Sequence, residues 1–130
     1  MKPKMILILA LTATLLAGCS SGSGTNTASG VISAYLNAIV SQDETAATAL
    51  SCAAWESSAV TEVHSFDGVA ARLENLSCSE GAVEGESTTV SCSGSIVATY
   101  QGEDRPIDLS GLLYLAVQEG GEWRMCGYKQ

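Results

Sequence analysis

The chain has 130 residues, 46% of them hydrophobic, with a net charge of −8 and a single histidine. That length accommodates one domain at most. So acidic a surface repels phosphate backbones and excludes nucleic acid as a partner, and one histidine excludes a multi-histidine metal centre.

Lys2 and Lys4 precede an apolar run over residues 5–16. The run is shorter than the roughly 20 residues of a membrane-spanning helix. It ends in Leu15-Leu16-Ala17-Gly18-Cys19, which resembles the lipobox of bacterial lipoproteins: Leu, a small or branched residue, Gly or Ala, then Cys. The resemblance implies that residues 1–18 are a signal peptide and that Cys19 becomes the acylated first residue of the mature protein. The membrane is then a partner through that lipid. An ordinary secretory signal, with Cys19 unmodified, is the alternative. Loss of the leader leaves four basic residues against fourteen acidic ones, a net charge of about −10. Ser20 is not the aspartate that retains lipoproteins in the inner membrane of many Gram-negative species. The expected localisation is the bacterial cell membrane, or the outer membrane if the host is Gram-negative.

Residues 19–27, rich in Ser and Gly, read as a flexible tether, and residues 28–130 as the folded domain. Ser29 is placed to cap a helix with Val31, Ile32, Tyr35, Leu36, Ile39 and Val40 along one stripe. Asp43 is placed to cap a second helix running through Leu50. Residues 52–63 form a third, short one carrying Trp55, Val60 and Val63, followed by turn chemistry at Asp67-Gly68. From Leu73 onward the period becomes two. Val90, Cys92, Gly94, Ile96, Ala98 and Tyr100 alternate with polar neighbours, and a turn at Gly102 leads into a second long strand. Its Ile107, Leu109, Leu113, Leu115 and Val117 share one face, with Leu112, Tyr114 and Ala116 on the other. Gly120-Gly121 marks a hairpin into the last strand. Helices first and an antiparallel meander of about four strands after them make an α+β domain.

With Cys19 acylated, Cys52, Cys78, Cys92 and Cys126 remain, an even set that reads as two disulfides in an exported domain. Their spacing suits no zinc ribbon or finger. A hairpin centred on Gly85 sets Cys78 opposite Cys92, within bonding reach if the pair is non-hydrogen-bonded. Cys52 is then left for Cys126. This is the preferred one of three connectivities.

Two stretches carry a resemblance. One is Ala34-Tyr35-Leu36-Asn37-Ala38-Ile39 with Asp43-Glu44-Thr45-Ala46-Ala47. The other is the ending from Leu112 through Gly120-Gly121-Glu122-Trp123-Arg124 to Gly127. Together they are similar to small bacterial lipoproteins of the nuclear transport factor 2-like superfamily, also called cystatin-like. The resemblance implies a curved sheet wrapped around N-terminal helices as a cone, with Trp123 as core.

Enzymes of that superfamily use Asp, His or Tyr inside the cone as acid or base. The residues of this kind are His64, Asp67, Tyr100 and Tyr114, and no spacing among them forms a catalytic motif. No Gly-x-Ser-x-Gly elbow is present. Glu80, Glu84, Glu86, Glu103 and Asp104 match no calcium loop and read as solvated turns. Tyr35, Trp55, His64, Tyr100 and Tyr114 are the candidate pocket residues, with no metal and no cofactor expected. The reading is a membrane-anchored envelope lipoprotein whose domain binds a ligand or supports an assembly without catalysis. Two alternatives stand: a cone-fold isomerase or dehydratase using His64 or Asp67 on a hydrophobic ligand, and a structural protein-docking module.

Overall fold

A computed structural model describes residues 24–130; the leader, Cys19 and the first part of the tether lie outside the described residues. Three helices, α1 (Ala28–Val40), α2 (Glu44–Ala49) and α3 (Glu56–His64), precede five strands. These are β1 (Ala70–Glu84), β2 (Ser87–Tyr100), β3 (Glu103–Asp108), β4 (Leu113–Glu119) and β5 (Glu122–Lys129). All pairings among the strands are antiparallel.

α1 begins two residues earlier than Ser29 suggests. Thr27 is the cap, its extended backbone letting the side chain accept from the Gly30 N–H at 3.0 Å. No acidic residue stands in the first turn of α1. Glu80 of β1 supplies the missing anion, accepting from the Ala28 N–H at 3.0 Å and so pinning the positive end of the helix dipole to the sheet. Val31, Ile32, Tyr35, Leu36 and Ile39 are buried, which makes α1 the axis of the core. Asp43 caps α2 as its position suggests, accepting from the Ala46 N–H.

β2 organises the sheet. One of its edges pairs with β1 along nearly its whole length, while the other is shared: Ser87–Ser91 pairs with β4 and Ser95–Tyr100 with β3. The single long strand expected after Gly102 is therefore two strands. They are separated by residues 109–112, where Ser110 donates from both its N–H and its hydroxyl to Asp108 Oδ1 at 2.8 Å. The break resets the alternation. Tyr114 and Ala116 face the core, while Leu113, Leu115 and Val117 are only half-buried, the reverse of a simple extrapolation from Ile107. Leu109 caps the gap, buried, with its N–H donating to the Gly94 carbonyl.

Curvature comes from irregularities in the ladder. Between Glu74 and Ser77 the β1–β2 register slips, with Asn75 at φ 54° and Gly94 opposite at φ 100°. A Cβ on Gly94 would lie 2.5 Å from the Glu74 carbonyl oxygen. Only glycine permits the two backbones to approach so closely, and the sheet bends there.

The connector between α2 and α3 acts as an extra strand. Cys52 N–H donates to the Met125 carbonyl and Met125 N–H to the Leu50 carbonyl, both at 2.8 Å. Cys52 and Cys126 are bonded beside this bridge, and Cys78 and Cys92 are bonded across the first hairpin, in direct register. The pairing matches the geometry expected from Gly85.

The two bridges close loops of very different length, with sequence separations of 74 and 14. Replacing Cys52 and Cys126 together with Ser should cost about 4–5 kcal/mol, against about 3 kcal/mol for Cys78 and Cys92. Urea denaturation of the two double variants checks the order.

Candidate functional site

Between α1, α3 and the concave face of the sheet lies a cavity of about 190 Å³. Leu36, Ile39, Phe66, Ile96, Leu109 and Leu112 form apolar walls. Glu62, Asp108, Tyr114 and Tyr128 bring the polar atoms. Ile107, half-exposed, stands at the rim. The break between β3 and β4 is what makes this space, because Leu109 and Leu112 leave the ladder and turn toward Ile39 and Phe66. The volume slightly exceeds the roughly 150 Å³ of an apolar hole that takes up benzene. A separate, polar surface cleft of about 180 Å³ lies between Thr25, Asn26 and the β4–β5 hairpin.

Glu62 is the chemical centre of the site. Its position on α3 lies between the buried Ala59 and Val63, at the margin of the apolar stripe. The Tyr35 hydroxyl, fully buried, donates to Glu62 Oε2 at 2.7 Å. Tyr35 in turn accepts from the Trp55 indole N–H at 3.1 Å. The result is a directed relay, indole to phenol to carboxylate. Burial pushes the Glu62 carboxyl above its ordinary range, and hydrogen bonds from Tyr35 and Tyr128 partly oppose that rise. Tyr114 rises to about 12 through burial first and the nearby Glu62 charge second. Tyr35 is raised as well, by burial and then by its bond to Glu62. The shifts of Tyr35 and Tyr114 keep both phenols protonated, and Tyr35 acts as a neutral donor to the carboxyl.

Tyr128 forms the outer wall. It meets Trp55 edge-on at 5.5 Å and Tyr114 at 6.2 Å between ring centres. Behind it, Trp55, Ser57, Ser58, Thr61 and Glu62 line a second, polar hollow of about 330 Å³. Glu62 and Tyr128 thus divide an apolar chamber from a hydroxyl-lined groove.

Of the five candidate pocket residues, the structure brings Tyr35, Trp55 and Tyr114 together. Tyr114 lines the cavity itself; Tyr35 and Trp55 support it through the relay. His64 and Tyr100 stand elsewhere. His64, exposed at the end of α3, bonds Asp67 at 2.8 Å and Glu44 of α2 at 3.1 Å. Asp67 first and Glu44 second raise its pKa, and the group serves to tie α2 to the turn after α3. Tyr100 is half-exposed at the far end of β2, with Arg105 over its ring at 5.9 Å. Neither His64 nor Asp67 reaches the cavity, because α3 turns both outward while Glu62 and Phe66 face in. Glu62 itself escapes a sequence reading: a glutamate on a short polar helix looks like a solvated residue. Its one signal is the placement three residues after Ala59 and four before Phe66.

A carboxyl with a raised folded pKa favours folding in its protonated form. That contribution is complete below the unfolded value, roughly pH 4, and is lost as pH rises through the folded value. Glu62→Gln keeps an acceptor for Tyr35 and removes the charge. The variant should therefore melt higher than the parent at pH 7–8, with the gain fading toward pH 4. Thermal unfolding across that range checks the sign.

No family model matches the chain, and no curated protein matches it. Among solved structures it is similar to an NTF2-like protein with a cystatin-like fold from Novosphingobium aromaticivorans. The two share 15% identity over 75% of this chain and 73% of the other, with a TM-score of 0.52. That likeness is one of fold: three helices against a curved five-stranded antiparallel sheet, the α+β cone of the nuclear transport factor 2-like architecture.

Proposed function

We propose that this chain is an exported lipoprotein, held at the membrane by acylated Cys19, whose cone domain binds a small, largely apolar molecule. The observation that carries the binding reading is the cavity: six apolar side chains line an open hollow the size of one ring with a short tail, and one carboxyl with its tyrosines sits at the edge. Apolar walls with a few convergent polar groups are the usual composition of a ligand site. We read the role as capture: His64 pairs with Asp67 and with Glu44 outside the cavity, and the carboxyl that does line it, Glu62, is held by Tyr35.

Two features support export and anchoring. The leader ends in the Leu16-Ala17-Gly18-Cys19 pattern. Two disulfides fit an oxidising compartment.

Replacing Cys19 with Ser should shift the protein from the membrane fraction to the soluble one without altering its unfolding temperature. Fractionation and intact mass decide this; a variant that stays in the membrane overturns the anchor. For binding, a panel of single-ring and short aliphatic compounds should shift the methyl resonances of Leu112, Ile96 and Ile107. Ile107→Trp, which fills the rim, should abolish those shifts. A panel that moves none of these methyl groups overturns the cavity reading.

A further inference from the structure

The charges around the cavity are one-sided. Among the described residues, Glu62 and Asp108 are the only ionisable groups lining it besides the tyrosines, and no Lys, Arg or His does so. The four cationic side chains that follow the leader are all engaged elsewhere. Arg72 pairs with Glu74 and Asp104, Arg105 with Glu103, Arg124 with Glu122, and Lys129 with Glu84. His64 is held by Asp67 and Glu44. Glu62 thus has a half-buried carboxyl, two phenolic donors and no cationic partner among the described residues. Asp108 adds a second negative charge at the rim, kept ionised by the N–H and hydroxyl of Ser110. Tyr114 and Tyr128 present aromatic rings to the same space, and such rings attract cations.

We infer that the ligand is a small apolar amine, its ring or alkyl body in the chamber of Leu36, Ile39, Phe66, Leu109 and Leu112 and its ammonium group against Glu62. The inference rests on the cavity-binding reading and names the chemistry of its ligand. An ammonium supplies the charge that Glu62 lacks, and a desolvated charge-assisted hydrogen bond is among the stronger polar contacts available. A carboxylate ligand meets two like charges in the same place and is rejected. A neutral alcohol keeps the apolar contacts and forgoes the ion pair.

The two tryptophans make the test internal to the protein. Trp55 joins Glu62 through Tyr35, so its indole N–H resonance senses what happens at the carboxyl. Trp123, beside Thr25 and Asn26, is remote from the cavity and serves as the control. The full chain in lipid nanodiscs is titrated with phenethylamine, phenethyl alcohol and hydrocinnamate. Phenethylamine should move the Trp55 signal and leave Trp123 in place, binding about tenfold tighter than the alcohol. Hydrocinnamate should not saturate. In Glu62→Gln the amine and the alcohol should bind within about twofold of each other, the fold being verified by the unmoved Trp123 signal. If the alcohol or hydrocinnamate binds the parent as tightly as the amine, or if Glu62→Gln retains the preference, the amine assignment is wrong while the cavity still binds. If none of the three moves Trp55, the cavity reading fails as well.

Discussion

At Gly94 the carbonyl oxygens of Glu74 and Asn75 occupy the space that a side chain would take. β1 and β2 can close to that distance only because one residue has no Cβ, and the ladder slips where they do. The bend allows a pair of long strands to curve over α1 instead of lying flat. The Gly94 carbonyl also accepts from the Leu109 N–H in register with the β2–β3 ladder, and beyond Leu109 the pairing against β2 shifts by one residue before β4 begins. That one-residue shift separates β3 from β4 and leaves Leu109 and Leu112 to line the cavity.

Inside this frame the domain tolerates a conflict. Packing favours an apolar interior, yet Glu62 points a carboxyl at it, and burying a charge without a counter-charge opposes folding. The cost is limited by Tyr35 and Tyr128, which hydrogen-bond the carboxyl, and by Trp55, which fixes the Tyr35 hydroxyl as a donor toward it. Such an arrangement is poorly explained by stability. A leucine at this margin would pack with Phe66 and Leu36 and need no relay. A group retained against the interest of the core is where recognition is to be sought.

Much of the frame is legible in the residues. The alternation of Val90, Cys92 and Ile96, the hairpin at Gly85, the cap at Asp43 and the Cys78–Cys92 register all follow from local rules, because each depends on neighbours within a few positions or on a period of two. The interruption at residues 109–112 does not. Leu109, Leu112 and Leu113 look like one continuous apolar strand, and a one-residue change of register against β2, a strand far earlier in the chain, separates them. The helix start is displaced for a similar reason, since Ser29 and Thr27 are both good caps and a glutamate from β1 decides between them. The site was least visible. Tyr35 and Trp55 can be picked as aromatics, but the carboxyl that joins them lies 27 positions from Tyr35 and resembles any exposed helical glutamate.

The covalent bridges also divide the domain mechanically. The bond between Cys52 and Cys126 encloses everything from the start of α3 almost to the last strand's end, and Cys78–Cys92 closes a smaller ring inside it. α1 and α2 lie ahead of both. Tension applied through the N-terminal side of the chain would meet no sulfur–sulfur bond before it reached α1, whose seat is held by buried side chains and the Glu80 cap. α1 contributes Leu36 and Ile39 to the cavity wall and Tyr35 to the relay. A pull on that side of the chain would therefore lift one wall from the cavity while the cross-linked remainder kept its shape, making closure of the cavity and tension on the N-terminal side two sides of one equilibrium.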